Sequence, residues 1–389
     1  MKFLGQYVII GALSISILSG CTTKKAEEKS KQQIKKEDYT PEFNEVEKSF
    51  IKEKKQDIYP FYNDILGKKR FNGMFLVAKN GKIIFEKVNG FLNYEENKKL
   101  NTTTPIHLAS ISKVATALAT MRLVDKGKIN LEDDIRKYLP TIPYKGVTVR
   151  MLLNHRSGIP YYGYFSEGIW NKKFIMRNKD VLKMIQKHKF PLNYPAGTHF
   201  AYCNTNYALL ALIIEKASEK KFPVAMKELI FEPLEMENSF IMDKPEKINE
   251  VSPSYNSRYI MQAVDFLDGV YGDKNMYSTA RDILKMDIAT YSKDFLSEKA
   301  RKEIYRGYSY EKAGTRNYGL GMRMVEVPEK KPYFFHTGWW HGNTGCYATL
   351  RGDTVCIIAL SNAYTKSVYQ IHKLANLFKG YPFEKGEEE

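Results

Sequence analysis

The chain has 389 residues, 43% hydrophobic and 13% aromatic, enough to bury a sizeable core in one large domain or two smaller ones. Its net charge of +16 comes mainly from lysine spread along the chain. There is no Arg/Lys-clustered face and no nucleic-acid-binding motif, so no nucleic-acid partner is expected, and the basic surface suits an anionic membrane or wall.

Met1-Lys2 is a short basic start, followed by an apolar run at 7–18 and then Leu18-Ser19-Gly20-Cys21. The run is short for a membrane-spanning helix and has the length of a secretion signal. LSGC resembles the bacterial lipobox. That resemblance implies a signal peptide over 1–20, lipidation at Cys21, and a lipid-anchored, extracytoplasmic chain in a bacterial cell envelope. Residues 21–60 are dense in Lys, Glu and Gln and read as a flexible tether ahead of a folded domain over 61–389.

Residues 71–90 read as a hairpin, two β-rich runs around Asn80-Gly81. Residues 110–125 carry apolar side chains at helical spacing (Val114, Ala117, Leu118, Met121), with Gly127 as a stop. From 130 to about 273 the pattern is short helices and loops, clearest at 148–154 and 206–217. A further helix spans 278–289, with Ser278 or Thr279 as N-cap. Short strands follow at 318–325, 332–336, 344–350 and 354–360, and a closing helix at 367–378. Strands at both ends and helices between them predict an α/β fold of the α+β kind. Its antiparallel sheet is flanked by helices, with an inserted helical subdomain at about 130–273.

Three cysteines remain after Cys21. With a two-residue turn at Gly352-Asp353, Cys346 faces Ala359 and Cys356 lies on the other face of the sheet, so no disulfide is expected.

The stretch HLASISKVATA holds Ser110, Ser112 and Lys113. Residues three apart share a helix face, so Ser110 meets Lys113 while Ser112 meets only Ala115. A serine is a weak nucleophile until a base takes its proton, and a lysine can be that base where burial or nearby positive charge favours its neutral form. Taken alone, Ser-x-x-Lys equally fits an N-capping serine and a surface lysine. Two more segments bear on the choice: Phe200-Ala201-Tyr202-Cys203-Asn204 before a long apolar helix, and Phe335-His336-Thr337-Gly338-Trp339 after a strand.

Together SISK, YCN and HTG closely resemble the three motifs of the serine β-lactamase and penicillin-binding protein superfamily. The Tyr-x-Asn motif is that of its class C β-lactamase, DD-peptidase and esterase branch. FNGMFLVAKNGKIIF, TVRMLLNHRSGIP, NTNYALLALIIEKAS, FEPLEMENSF and GDKNMYSTARDILKM look like family segments in the usual order, so the resemblance covers roughly 60–380. It implies a β-lactamase/transpeptidase-like fold with Ser110 as nucleophile. Lys113 and Tyr202 share the general-base work, Lys113 supplying the charge that favours a Tyr202 phenolate. Asn204 binds the substrate amide and holds Lys113. The backbone N–H groups of Ser110 and Trp339 form the oxyanion hole, and His336, Thr337 and Gly338 bind substrate.

The chain departs from the pattern at His336, where β-lactamases of the family mostly carry lysine. Histidine is largely neutral above about pH 6.5. This counts against β-lactamase activity and predicts that carboxylate binding weakens as pH rises through the His336 titration. No deacylating glutamate is assignable, so Tyr202 would also activate the water. The expected activity is a serine hydrolase acting through an acyl-enzyme on an amide or ester, a D-Ala-type peptidoglycan peptide among the candidates. A β-lactamase and a silent penicillin- or wall-binding lipoprotein are the alternatives. Expected partners are a small peptide, ester or β-lactam and, through the anchor, a membrane.

No cofactor is implied, and no metal: His336 and His341 lack a third ligand at recognisable spacing. His155 reads as a helix-end hydrogen bonder and Gly319-Leu320-Gly321 as a close-packed strand. Trp339 and Trp340 either line the pocket or simply pack.

Overall fold

A computed structural model describes residues 38–69, 71–312 and 314–383. The leader at 1–20 and Cys21 lie outside the described residues. From Tyr39 onward the chain forms one compact unit.

Strands β1 (Gly73–Lys79) and β2 (Lys82–Asn89) form the expected hairpin, with Lys79 opposite Lys82. Asn80 and Gly81 both take positive φ, 50° and 73°, as a two-residue turn between right-twisted strands requires. The chain then leaves this sheet. It makes a small pair, β3 (Phe91–Asn93) and β4 (Lys98–Lys99), and a three-stranded ribbon ordered β5 (Ile106–His107), β7 (Met276–Ser278), β6 (Phe240–Ile241). It returns as β8 (Arg316–Tyr318), β9 (Arg323–Val325), β10 (Tyr333–Trp340), β11 (Asn343–Leu350) and β12 (Val355–Ser361). The seven-stranded order is β2-β1-β12-β11-β10-β9-β8, antiparallel throughout, so the first hairpin closes on the last strand. The insertion between β2 and β8 is therefore wider than residues 130–273.

The two faces of the sheet follow the period-2 alternation. Phe75, Val77, Ala348, Leu350, Ile357 and Ala359 join one core with helix α1 (Lys48–Phe61) and the 3-10 turns of Ser367–Leu377. Met74, Leu76, Tyr347, Ile358 and Leu360 join the other, with helices α2 (Ser112–Asp125), α3 (Asn204–Ser218) and α4 (Ala280–Ala289). Cys346 stands opposite Ala359, as the sequence register has it. Cys346 and Cys356 belong to opposite cores, and both thiols are free. Thr279 caps α4, its side chain accepting from Asp282 N–H.

Three further expectations change. The tether does not run to residue 60: Tyr39, Val46 and Ile58 are buried and α1 begins at Lys48. Its many charges cover the outer face, while Phe50, Ile51, Ile58 and Phe61 pack on the sheet. Residues 318–325 are not one strand but the hairpin of β8 and β9, turned at Gly319–Met322 with Gly321 at φ +86°. A Cβ on Gly321 would sit 2.4 Å from Ala117 Cβ of α2, so this turn is pressed against that helix. Strand β10 also continues past His336 to Trp340.

Helix α2 is buried from Ser112 to Leu123, not on one stripe. A helix surrounded on all sides has no solvent face for a charge. Lys113 is therefore not a surface lysine.

Candidate active site

Ser110 lies in a 3-10 turn, Ala109–Ile111, that leads into α2. Ala109 just before it takes φ +48°, a left-handed conformation that alanine rarely adopts. The turn leaves Ser110 half-buried, while Lys113, one turn on, is 0% exposed. Lys113 Nζ donates to Ser110 Oγ at 2.9 Å and to the carbonyl of Asp273 at 2.8 Å. The rings of Tyr202 and Tyr207 face the same nitrogen, their centroids 5.0 and 5.7 Å away. The hydrogen bonds of this buried amine thus go to the serine and to one backbone carbonyl. When the amine is neutral, its lone pair meets the serine proton along the same 2.9 Å line.

The segment carrying Tyr202 and Asn204 is fixed by His155. Its Nδ1 accepts from Cys203 N–H and from Asn206 Nδ2, both at 3.2 Å, which places the ring proton on Nε2. Burial, then the charges of Lys113 and Arg323, hold the His155 imidazole well below its ordinary range, and it stays neutral. It is the hydrogen bonder expected from the sequence, with its ring 4.4 Å from that of Tyr202. Tyr202 also has the Arg323 guanidinium 4.6 Å from its ring centroid, so two cations address one phenol. The expected bond from Asn204 to Lys113 is not made. Asn204 Oδ1 is buried without a partner, and the Asp273 carbonyl holds Lys113 instead.

Strand β10 forms the opposite wall. Gly338 passes so close to the serine turn that a Cβ there would lie 2.4 Å from Leu108 O and 3.3 Å from Ser110 N. Thr337 beside it is half-buried. His336 is fully buried: Nδ1 donates to Thr337 O at 2.8 Å, so Nε2 accepts from the Tyr318 hydroxyl at 3.2 Å. Burial first, then Arg323 and Lys113, push its titration well below the usual range. The expected loss of carboxylate binding through the His336 titration is therefore corrected, because this imidazole is already neutral. Arg323, on the neighbouring strand opposite Phe335, carries the charge that acts on both His155 and His336.

The two tryptophans divide. Trp339 is 63% exposed at the rim, and Trp340 packs, its indole N–H on Asp268 Oδ1 at 2.6 Å. His341 is held by the same carboxylate, away from His336. Among the described residues, no group of His, Cys, Asp or Glu is placed to hold a metal ion. Asp273 and Arg323 are the site residues that sequence reasoning missed. Asp273 lies in the family-like segment GDKNMYSTARDILKM, but a residue that acts through its carbonyl leaves no side-chain signature. Arg323 lies within the expected strand at 318–325, where its sequence position carries no sign of the neighbouring β10.

A serine bonded to a buried lysine one turn on, with a close-approaching strand beside it, defines a serine acyl-transfer enzyme. The chain belongs to the Beta-lactamase family, whose model matches residues 48–377, from the first residue of α1 to the last of the closing turns. It is similar to Penicillin-binding protein 4* of Bacillus subtilis (strain 168), 31% identical over 350 residues, 85% of this chain and 77% of that protein. Among solved structures it resembles a penicillin binding protein from Bacillus halodurans (TM-score 0.72, 23% identity, covering 81% of this chain and 98% of that one). It also resembles FmtA from Staphylococcus aureus (TM-score 0.67, 21% identity, 87% and 91%). The chain is a serine hydrolase of this family.

Proposed function

We propose that the chain cleaves an amide or ester bearing a carboxylate, of the D-Ala-type peptidoglycan class, through an acyl-enzyme on Ser110. The observation that carries this is the 2.9 Å bond between Lys113 Nζ and Ser110 Oγ inside a buried helix. Lys113 and Tyr202 together take the serine proton as Oγ attacks the substrate carbonyl. The developing oxyanion lies between the N–H groups of Ser110 and Trp339, where the close approach of Gly338 sets the gap. The leaving amine or alcohol departs with a proton delivered through Lys113 and Tyr202. Water then attacks the acyl-enzyme, and its proton passes through Tyr202 and Lys113 to Ser110 Oγ as the ester bond breaks, so the acid leaves and Ser110 is restored. Asn204, with its unpartnered carbonyl oxygen, meets the substrate amide N–H. Arg323 supplies the charge for the substrate carboxylate, and Thr337 lines the same wall. The name of the Bacillus subtilis relative supports a penicillin-accepting site.

The same reading places the enzyme outside the cytoplasm of a bacterial cell, tethered to the membrane by lipid on Cys21. LSGC and the run at 7–18 support it.

The test is intact mass of the chain from Thr22 onward, with a penicillin and with an activated ester, beside Ser110→Ala. An adduct of acyl mass in the wild type alone is the expected result. Equal labelling of Ser110→Ala, or no acylation by either reagent, overturns the assignment.

A further inference from the structure

The backbone segments on either side of the proposed oxyanion pocket are joined through one buried residue, Asp268, by its carboxylate on one side and its backbone carbonyl on the other. Asp268 is 1% exposed. Its carboxylate accepts the Trp340 indole N–H at 2.6 Å and meets His341 Nε2 at 3.0 Å from each oxygen. Trp340 directly follows Trp339, whose N–H is one half of the pocket. The Asp268 carbonyl accepts from Asn275 Nδ2, which also donates to Val270 O at 3.0 Å. That fixes the amide, so Asn275 Oδ1 accepts from His107 Nε2 at 3.1 Å. His107 Nδ1 then accepts from Ala109 N–H at 3.1 Å. Ala109 directly precedes Ser110, the other half. Each donor and acceptor along this path has one consistent assignment.

Three residues of the path, Ala109, Asn275 and His341, are non-glycine residues at positive φ: 48°, 70° and 51°. Such conformations persist only where their surroundings over-determine them, and they cluster at functional sites. Here the side-chain bonds of the path supply that determination.

We propose that Asp268 is a positioning residue for the oxyanion pocket, setting the spacing between the Ser110 turn and the end of β10 through Trp340 and His341 on one side and Asn275 and His107 on the other. The inference rests on the assignment of Ser110 and Trp339 as the oxyanion donors. A loosened pocket harms the tetrahedral state, not the substrate complex. Misplacement of a donor by about 1 Å lowers the rate on the order of 100-fold.

The experiment uses the full chain and two variants, Asp268→Asn and Trp340→Phe. The second keeps an aromatic ring in place and removes the indole bond. For each, kcat and KM are measured on an activated ester, together with affinity for a phenylboronic acid, which forms a tetrahedral adduct on the nucleophilic serine. The expected result is a fall of about 10- to 100-fold in kcat and a parallel fall in boronate affinity, with KM within about twofold. Values of kcat and boronate affinity near wild type in a folded variant overturn the proposal, as does a rise in KM at constant kcat. If Asp268→Asn does not fold, Trp340→Phe decides the matter by the same signature. A wild type that neither turns over ester nor binds boronate defeats the assignment of Ser110 itself; a normal wild type with unaffected variants defeats only the role of Asp268.

Discussion

Gly338→Ala places a methyl group at the point where β10 crosses the serine turn. Its Cβ would stand 2.4 Å from the Leu108 carbonyl oxygen, 3.2 Å from Ala109 Cβ and 3.3 Å from Ser110 N. Carbon–oxygen contacts are tolerated from about 3.3 Å, so strand and turn must part by roughly 0.9 Å. The obstacle is backbone, which cannot rotate away. A shift of that size in one oxyanion donor is expected to lower kcat by about 100-fold, or about 2.7 kcal/mol of transition-state stabilisation. Steady-state kinetics on an activated ester measure this, with thermal unfolding run alongside to separate rate from stability. Gly345→Ala is the control. Gly345 is the cross-strand partner of Gly338, but its Cβ would press at 3.1 Å on the side-chain methyls of Ile111 and Leu360, which can yield. It should reduce stability modestly and leave kcat within about threefold. If Gly338→Ala is as active as the control, the close approach of β10 does not set the oxyanion geometry.

Arg323→Met is expected to raise KM about 10- to 100-fold for substrates carrying the carboxylate while sparing a neutral ester, because only the former loses a charge partner; equal losses on both would show that Arg323 acts by packing on Tyr202. The ratio of kcat/KM for carboxylate over neutral substrate should stay level from pH 5.5 to 8. His336 is buried beside Arg323 and Lys113, which with burial hold its titration well below the ordinary histidine range, so it has no charge to lose as pH rises. A decline in the ratio that disappears in His336→Gln would refute this. Burial lowers the His107 titration to about 4. The unfolded chain binds that proton below about pH 6.5 and the folded chain does not, so stability is fully present above 6.5 and falls as pH drops toward 4, by about 3 kcal/mol in all. Urea titrations at pH 7 and 4.5 should show a smaller drop for His107→Gln than for wild type, and parallel drops would refute the linkage.

The sheet was legible because its signals are local. Asn80-Gly81 dictates a two-residue turn, and the alternating apolar runs at each end of the chain have one face to bury. Even the register of β11 against β12 follows from the turn at Gly352-Asp353. Helix α1 is hidden by its lysines, dense enough to resemble a solvated tether, because its packing residues Phe50, Ile51, Ile58 and Phe61 leave a polar gap from 52 to 57. Gly319-Leu320-Gly321 was read as strand because Tyr318, Met322 and Met324 suit one. What bends the chain there is contact with α2, which is remote in sequence.

At the site, legibility divides by how each residue acts. Ser110, Lys113, Tyr202 and His336 act through side chains at motif spacings, so the order of residues reveals them. Asp273 meets Lys113 through its carbonyl, Arg323 takes its proposed role from its place beside β10, and Asp268 from a path through three stretches of chain. That difference bears on substrate charge. A lysine at the position of His336 would have carried recognition and position in one residue. Here the two are split: His336 is locked neutral between the Tyr318 hydroxyl and the Thr337 carbonyl, and the cation stands on the adjacent strand over Tyr202. A guanidinium offers planar, bidentate recognition of a carboxylate, which an ammonium does not. Under the proposed role of Arg323, such a site selects its substrate by where the carboxylate lies as much as by its charge, which would favour an extended peptide or ester over any small anion that fits the pocket.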